Sequence, residues 1–146
     1  MNMNDMVVIS VDDHISEPPD MFKKHLSGDD LASAPKFCTT PEGTNYWEYQ
    51  GMQMPSVGLN AVVGRVPEEY GAEPTALDQL RKGCYEPKAR VDDMNVNGVA
   101  ASLNFGSCVG FDGGRFHKAA DKSKSLIHMR AYNDWQIDEW CGSQPG

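Results

Sequence analysis

The sequence has no apolar run approaching the roughly 18 residues that a membrane-spanning helix needs. Its opening, MNMNDMVVIS, lacks both the positive start and the long apolar stretch of a secretory signal peptide. Basic residues are scarce: 13 Lys and Arg stand against 21 Asp and Glu, for a net charge of -8 and a pI near 4.8. A nucleic-acid footprint needs a basic patch, and an anionic membrane surface attracts one, so neither partner is expected. Cysteines are few and scattered: Cys38, Cys84, Cys108 and Cys141 form no C-x-x-C pair, which excludes zinc-ribbon and thioredoxin readings. Without a leader, such thiols are expected to be reduced, and the location cytoplasmic. No G-x-S-x-G is present, so a hydrolase nucleophile elbow is unsupported. The glycines of GFDGGRF miss the G-x-G-x-x-G spacing of a dinucleotide site.

What the chain has is one domain's length, 146 residues, and enough apolar content for a core, at 40% hydrophobic and 23% charged. Met6 to Val11 (MVVISV) is short and β-branched and stops at charges, which predicts a strand buried on both faces, as in a parallel sheet. MFKKHL predicts a helical turn after Pro18 and Pro19, and Ser27 to Pro35 reads as loop. KFCTT and NYWEYQGMQM, split by Pro41-Glu42-Gly43, predict a hairpin. Pro55 to Tyr70 reads as an irregular excursion. Thr75 to Lys82 predicts a short helix closed by Gly83. Pro87 to Asn97 predicts a helix stopped by Gly98, followed by a strand over Val99 to Phe105 and a flexible loop over Gly106 to Gly114. Asp121 to Cys141 has the clearest helical pattern: Ile127, Ala131 and Trp135 form one apolar row, and Met129, Tyr132 and Trp140 the next. Strands separated by helical crossovers imply an α/β fold with a parallel sheet.

The strand's end raises the functional question. Asp12, Asp13 and His14 close it, and Glu17 follows. In open α/β sheets and β/α barrels, function sits at the C-terminal ends of strands. Residues i and i+2 of a strand point the same way, so Asp12 and His14 can reach one ion while Asp13 points elsewhere. Carboxylate with imidazole suits Zn, Mn or Fe. Glu17 could add an oxygen or brace His14 from behind. The plain alternative is that Asp12 and Asp13 cap a helix and His14 packs. A response-regulator receiver also opens with an apolar strand running into V-D-D. Its phospho-accepting aspartate should lie four residues before the proline of an M-P-x-x-x-G stretch. Here MPSVG, at Met54 to Gly58, is one spacer short, Gly51 occupies that position, and no later K-P pair exists.

VDDHISEPPDMF resembles the first strand of the amidohydrolase-related proteins, metal-dependent TIM-barrel enzymes that include aminocarboxymuconate semialdehyde and resorcylate decarboxylases. One bacterial branch ends that strand D-x-H-x-x-E-P. Three further segments look like that branch, in order: GLNAVVGRVPEEYG (58–71), GCYEPKARVDDMNVNGV (83–99) and RAYNDWQIDEWCG (130–142). The resemblance implies the N-terminal part of a (β/α)8 TIM barrel, its first two β/α units, with an inserted β-hairpin or irregular segment at about 36–74. Residues 1–146 would form a single incomplete domain, from a truncated reading frame or a fragment. Asp12 and His14 match the metal pair, with Glu17 matching the branch pattern; a divalent ion, zinc first and Mn or Fe next, is the implied cofactor. FGS after the second strand stands where F-P-S is expected, and Met94-Asn95-Val96-Asn97 carries amides where acids are usual.

The implied activity is hydrolysis of a small-molecule substrate, through a metal-bound water whose pKa falls to about 7. The alternative within the family is nonoxidative decarboxylation of aromatic or unsaturated acids. No residue here selects between them, because the acid/base groups would come from later strands; Asp13 as general base is disfavoured by its direction. A barrel needs about 250 residues, and catalytic zinc normally takes three protein ligands, so the piece alone is expected to be inactive. A non-catalytic fragment, a subunit completed by a partner and a homo-oligomer stay open. His25, His117 and His128 sit at no strand end and read as packing or surface residues. Tyr46, Trp47 and Tyr49 could line an aromatic pocket, but hairpin packing explains them better; Trp135 and Trp140 read as core. Two parallel strands are expected to leave open edges and an apolar helix face without a partner.

Overall fold

The apolar run that begins at Val8 pairs with the one that begins at Val99, a parallel match that needs the long stretch of chain between them. The computed structural model describes residues 5–55, 57–58, 62, 65–70, 74–109 and 113–144. Within these, strand β1 (Val8–Ile15) pairs in parallel with β5 (Val99–Gly106). Strands β2 (Lys36–Thr39), β3 (Asn45–Tyr49) and β4 (Met52–Met54) form a separate antiparallel sheet in the order β2-β3-β4. Helices are α1 (Gly28–Ala32), α2 (Pro87–Asn97), α3 (Gly114–Lys118) and α4 (Lys122–Trp135), the last continuing as a π-helical stretch, Gln136–Cys141. The fold is mixed α/β. No helix among the described residues is long and apolar enough to cross a membrane.

The core lies where the antiparallel sheet meets α4. Asn45, Trp47 and Tyr49 alternate inward along β3, as a two-residue period requires. Trp47 meets the rings of Phe37 at 5.1 Å and Phe22 at 6.4 Å, both edge-on. Tyr49 meets Phe116 at 5.3 Å. From α4 come Ala131, Tyr132 and Trp135, with Trp140 beyond it; Trp135 and Trp140 are core, as their pattern predicts. The helix starts on Asp121, whose carboxylate accepts from the Lys124 N–H. Its apolar face is therefore covered, contrary to expectation, by the sheet and by the turn at Met21–Lys24. Ser125 and His128 lie at the centre of that face, and Ile127 is only half-buried.

Several local expectations change. The hairpin has a second turn: Gln50 and Gly51 both take positive φ, 47° and 79°, the type I′ geometry that folds β4 back on β3. The loop over 27–35 contains α1. No helix forms over Thr75 to Lys82; two 3₁₀ turns, Leu77–Gln79 and Lys82–Cys84, stand there. The backbone of that segment is committed elsewhere. Thr75 O accepts from the Asn45 N–H at 2.8 Å, and the Leu77 N–H donates to Asn45 Oδ1 at 2.7 Å. Gly83 is no cap; it is buried, and a side chain there would strike Asp93. In contrast, α2 keeps its expected limits, with Gly98 at φ 67° in the left-handed region.

The parallel pair departs most. β1 runs through the acidic residues to Ile15, and only Ile15 of its residues is buried. Val8, Ile9, Val11 on β1 and Leu103 on β5 are 45%, 58%, 68% and 55% exposed. A strand composed for burial on both faces stands in solvent.

Candidate metal-pair site at the end of the first strand

Asp12 and His14 project from one side of β1, their Oδ1 and Nε2 3.6 Å apart, with side chains 75% and 44% exposed. Two ligands on a tetrahedral zinc at 2.0–2.2 Å lie about 3.4 Å from each other. The pair therefore fits two positions of a divalent-metal site. Among the described residues no group of three or more His, Cys, Asp or Glu side chains converges as a metal site. Among the described residues this site thus has two donors where a catalytic zinc needs three.

Asp13 points away, as alternation requires. It accepts from Ser10 Oγ at 2.8 Å and from Ser102 Oγ, and Arg90 Nη1 lies 3.9 Å away. Burial opposes its charge, but those hydroxyls, Arg90 and His14 outweigh burial and hold the carboxyl below its usual range. A one-residue bulge between Ser10 and Asp13 shifts the register here, since three steps on β1 match two on β5. Past it, His14 pairs with Phe105, and the two rings are 6.1 Å apart.

Arg90 of α2 braces this strand end. Its Nη2 donates to the His14 carbonyl at 2.6 Å, its guanidinium lies 6.0 Å from the Trp140 ring, and its buried Nε has no partner among the described residues. Beside it opens a cleft of about 320 Å³ lined by Asp13, His14, Arg81, Cys84, Arg90 and Asp93 among others. Arg81 is spent on a two-pronged bond to Asp93, at 2.8 and 2.5 Å. The cleft floor is tied to β1 where the Ser16 N–H donates to Cys84 O at 2.8 Å.

Glu17 does not join Asp12 and His14. It is wholly buried, and its two oxygens accept from Ser107 Oγ at 2.6 Å, Tyr132 Oη at 3.0 Å and the Cys108 N–H at 3.0 Å. Burial pushes its carboxyl above the usual range, against the pull of those donors. Burial and the neighbouring Glu17 also push the Tyr132 phenol up, and burial first, then Glu17, push up the Cys108 thiol. All four cysteines are free thiols.

The remaining singled-out residues are structural. His25 Nε2 meets Glu139 at 2.9 Å, and His117 is exposed on α3. His128 is fully buried: its Nε2 faces the Asp30 carbonyl at 2.9 Å, so the proton sits there, and Nδ1 accepts from Tyr49 Oη at 2.8 Å. Trp47 and Tyr49 are core, and Tyr46 is half-buried. Sequence reasoning missed Arg90, Ser107, Arg115 and Tyr132. Arg90 and Tyr132 lie in segments that carry the family resemblance, and Ser107 in the FGS stretch, but the partners of these three are 76 or more residues away and nothing local marks these contacts. Much of the GLNAVVGRVPEEYG segment and of the GFDGG loop, at residues 59–61, 63–64, 71 and 110–112, lies outside the described residues.

No family model matches the chain, and no curated protein matches its sequence. Its structure is similar to the crystal structure of an amidohydrolase from Mycobacterium avium subsp. paratuberculosis K-10, with a TM-score of 0.63 and 17% identity. The match takes in 97% of this chain and 40% of that one, so the chain spans two fifths of the length of the protein it resembles. At that identity the likeness establishes the fold that the two chains share over this stretch.

Proposed function

We propose that this chain is the front portion of a metal-dependent hydrolase of the amidohydrolase-related kind. β1 and β5 are the first two strands of a (β/α)8 barrel, and β2–β4 are its inserted antiparallel segment. Asp12 and His14 begin the metal site at the strand end. The observation that carries this reading is the 3.6 Å approach of Asp12 Oδ1 and His14 Nε2 on one exposed strand end. The shared fold with an amidohydrolase supports it. So does the bare parallel sheet, because parallel sheets are normally covered on both faces.

A divalent ion held there supplies Lewis-acid chemistry, for hydrolysis or for stabilising charge as carbon dioxide leaves an acid. This chain's own part is to hold two donors and to keep His14 against Phe105 through Arg90. Further ligands and the acid/base groups belong to strands that would flank β1 and β5, so the 146-residue chain is inactive alone. A nonoxidative decarboxylase would use the same pair; turnover of carboxylic acids with release of carbon dioxide, by a completed enzyme that leaves amides and esters intact, would replace hydrolysis by that reading.

The test is zinc titration by calorimetry. The 146-residue chain should bind zinc weakly and in a one-to-one ratio, and His14→Ala and Asp12→Asn should each remove that binding. Identical heats from the parent chain and His14→Ala would sink the metal reading.

A further inference from the structure

Glu17 is a buried carboxylate with no cationic partner among the described residues, a placement that costs stability unless directional bonds offset it. Among the described residues every group that bonds it donates. Ser107 and Cys108, which bind it, follow the last residue of β5, and Tyr132 comes from α4. The other side of the same peptide is held too: Arg115 of α3 donates to the Ser107 carbonyl and, at 3.0 Å, to the Cys108 carbonyl. Ser107-Cys108 is thus gripped by a carboxylate through its donors and by a guanidinium through its acceptors. Gly106 makes room for the grip, since a Cβ there would overlap Tyr132 Oη and Glu17 Oε1. Ile15 pairs with Gly106 and His14 with Phe105, so the first gripped residue, Ser107, lies two residues beyond the His14–Phe105 rung.

A hydrophobic side chain could fill this space but could not orient a backbone N–H and a hydroxyl at once. We propose that Glu17 is a positioning residue: by holding Ser107, Cys108 and Tyr132 it locks the end of β5 against the end of β1, and so sets His14 against Phe105. Its functional meaning rests on the reading of His14 as a metal ligand; its geometric content does not.

The test uses the 146-residue chain and its Glu17→Gln, Ser107→Ala and Tyr132→Phe variants. Glutamine keeps one accepting oxygen and puts an NH2 in place of the other, so the Cys108 N–H and the two hydroxyls can no longer all donate to it, and the grip is weakened at nearly constant volume. The readouts are the melt, the proton NMR contact between the His14 and Phe105 rings in the absence of metal, and the affinity for zinc. Glu17→Gln should retain a cooperative melt, lose the ring contact and weaken zinc about tenfold, which corresponds to about 1.4 kcal/mol. Tyr132→Phe and Ser107→Ala should shift both in the same direction, less. A lowered melting temperature with the ring contact and zinc affinity intact would make Glu17 merely structural and overturn the proposal. So would loss of the contact with no loss of affinity. Should Glu17→Gln not fold, the two milder variants decide by the same criteria. If His14→Ala shows no loss of zinc in the parent chain, the metal reading falls, and the ring contact alone decides whether Glu17 positions His14.

Discussion

The two sheets of this chain reverse what their compositions suggest. β3, with asparagine, glutamate and three aromatics, is the buried strand: Trp47 and Tyr49 are 1% and 2% exposed. β1, which carries two valines and two isoleucines, has Ile15 as its one buried residue and leaves Val8, Ile9 and Val11 exposed. Burial follows from the elements a strand finds to pack against. β3 has α4, Phe22 and Phe37 over it. β1 has β5 beside it, and among the described residues each pairs with no other strand. In the proposed function, these exposed apolar residues and unpaired edges are where further strands would join.

Substitutions that treat the two sheets alike should separate them. The largest effect is expected at Trp47: Trp47→Ala should cost about 3–5 kcal/mol in urea unfolding, because it empties the centre of the ring cluster. Equal costs from Trp47→Ala and Ile9→Ala would abolish the contrast. Acid gives a second, intermediate effect confined to the antiparallel side, where His128 joins Tyr49 to α1 and α4. Burial holds the His128 pKa below its usual value, with Lys124 adding to the effect and the Asp30 carbonyl opposing it. Above pH 7 the residue is neutral folded and unfolded. As the pH drops through about 6.5 the unfolded chain takes up its proton first, so stability falls. Melts between pH 7.5 and 5 should show this loss, and His128→Gln should flatten it; the same slope in both proteins would contradict the assignment. The smallest effect belongs to the bare sheet: Val11→Thr should change stability by no more than about 0.5 kcal/mol. The same substitution should lower self-association in sedimentation, if open edges and apolar faces bring copies together.

What was legible in the sequence follows the same division. α2 reads correctly to its last residue because its signals are local: Pro87 at its first turn and Gly98 in the left-handed region just past its end. The direction of Asp13 and the pairing of Asp12 with His14 follow from strand alternation alone. The helix expected over Thr75 to Lys82 fails because Asn45, a residue 30 positions earlier, captures the backbone of Thr75 and Leu77. β1 outruns its apolar run because Ser10, Ser102 and Arg90 satisfy Asp13 inside the strand. His128 and Ser125 escape an apolar-row reading of α4 because their partners, Tyr49 and Asp30, lie on other elements. Glu17 could be singled out by its place after D-x-H, but not its grip on Ser107 and Tyr132, 90 and 115 residues away.

In the proposed function, β1–β5 is a sheet that further strands would complete, beside the packed core of β3 and α4. Amide hydrogen exchange on the 146-residue chain tests this directly, strand by strand. The amides of β3 should exchange only through global unfolding, and those of β1 and β5 through openings of much lower free energy. Equal protection of β1 and β3 would show that the parallel pair is already complete, and would contradict the account.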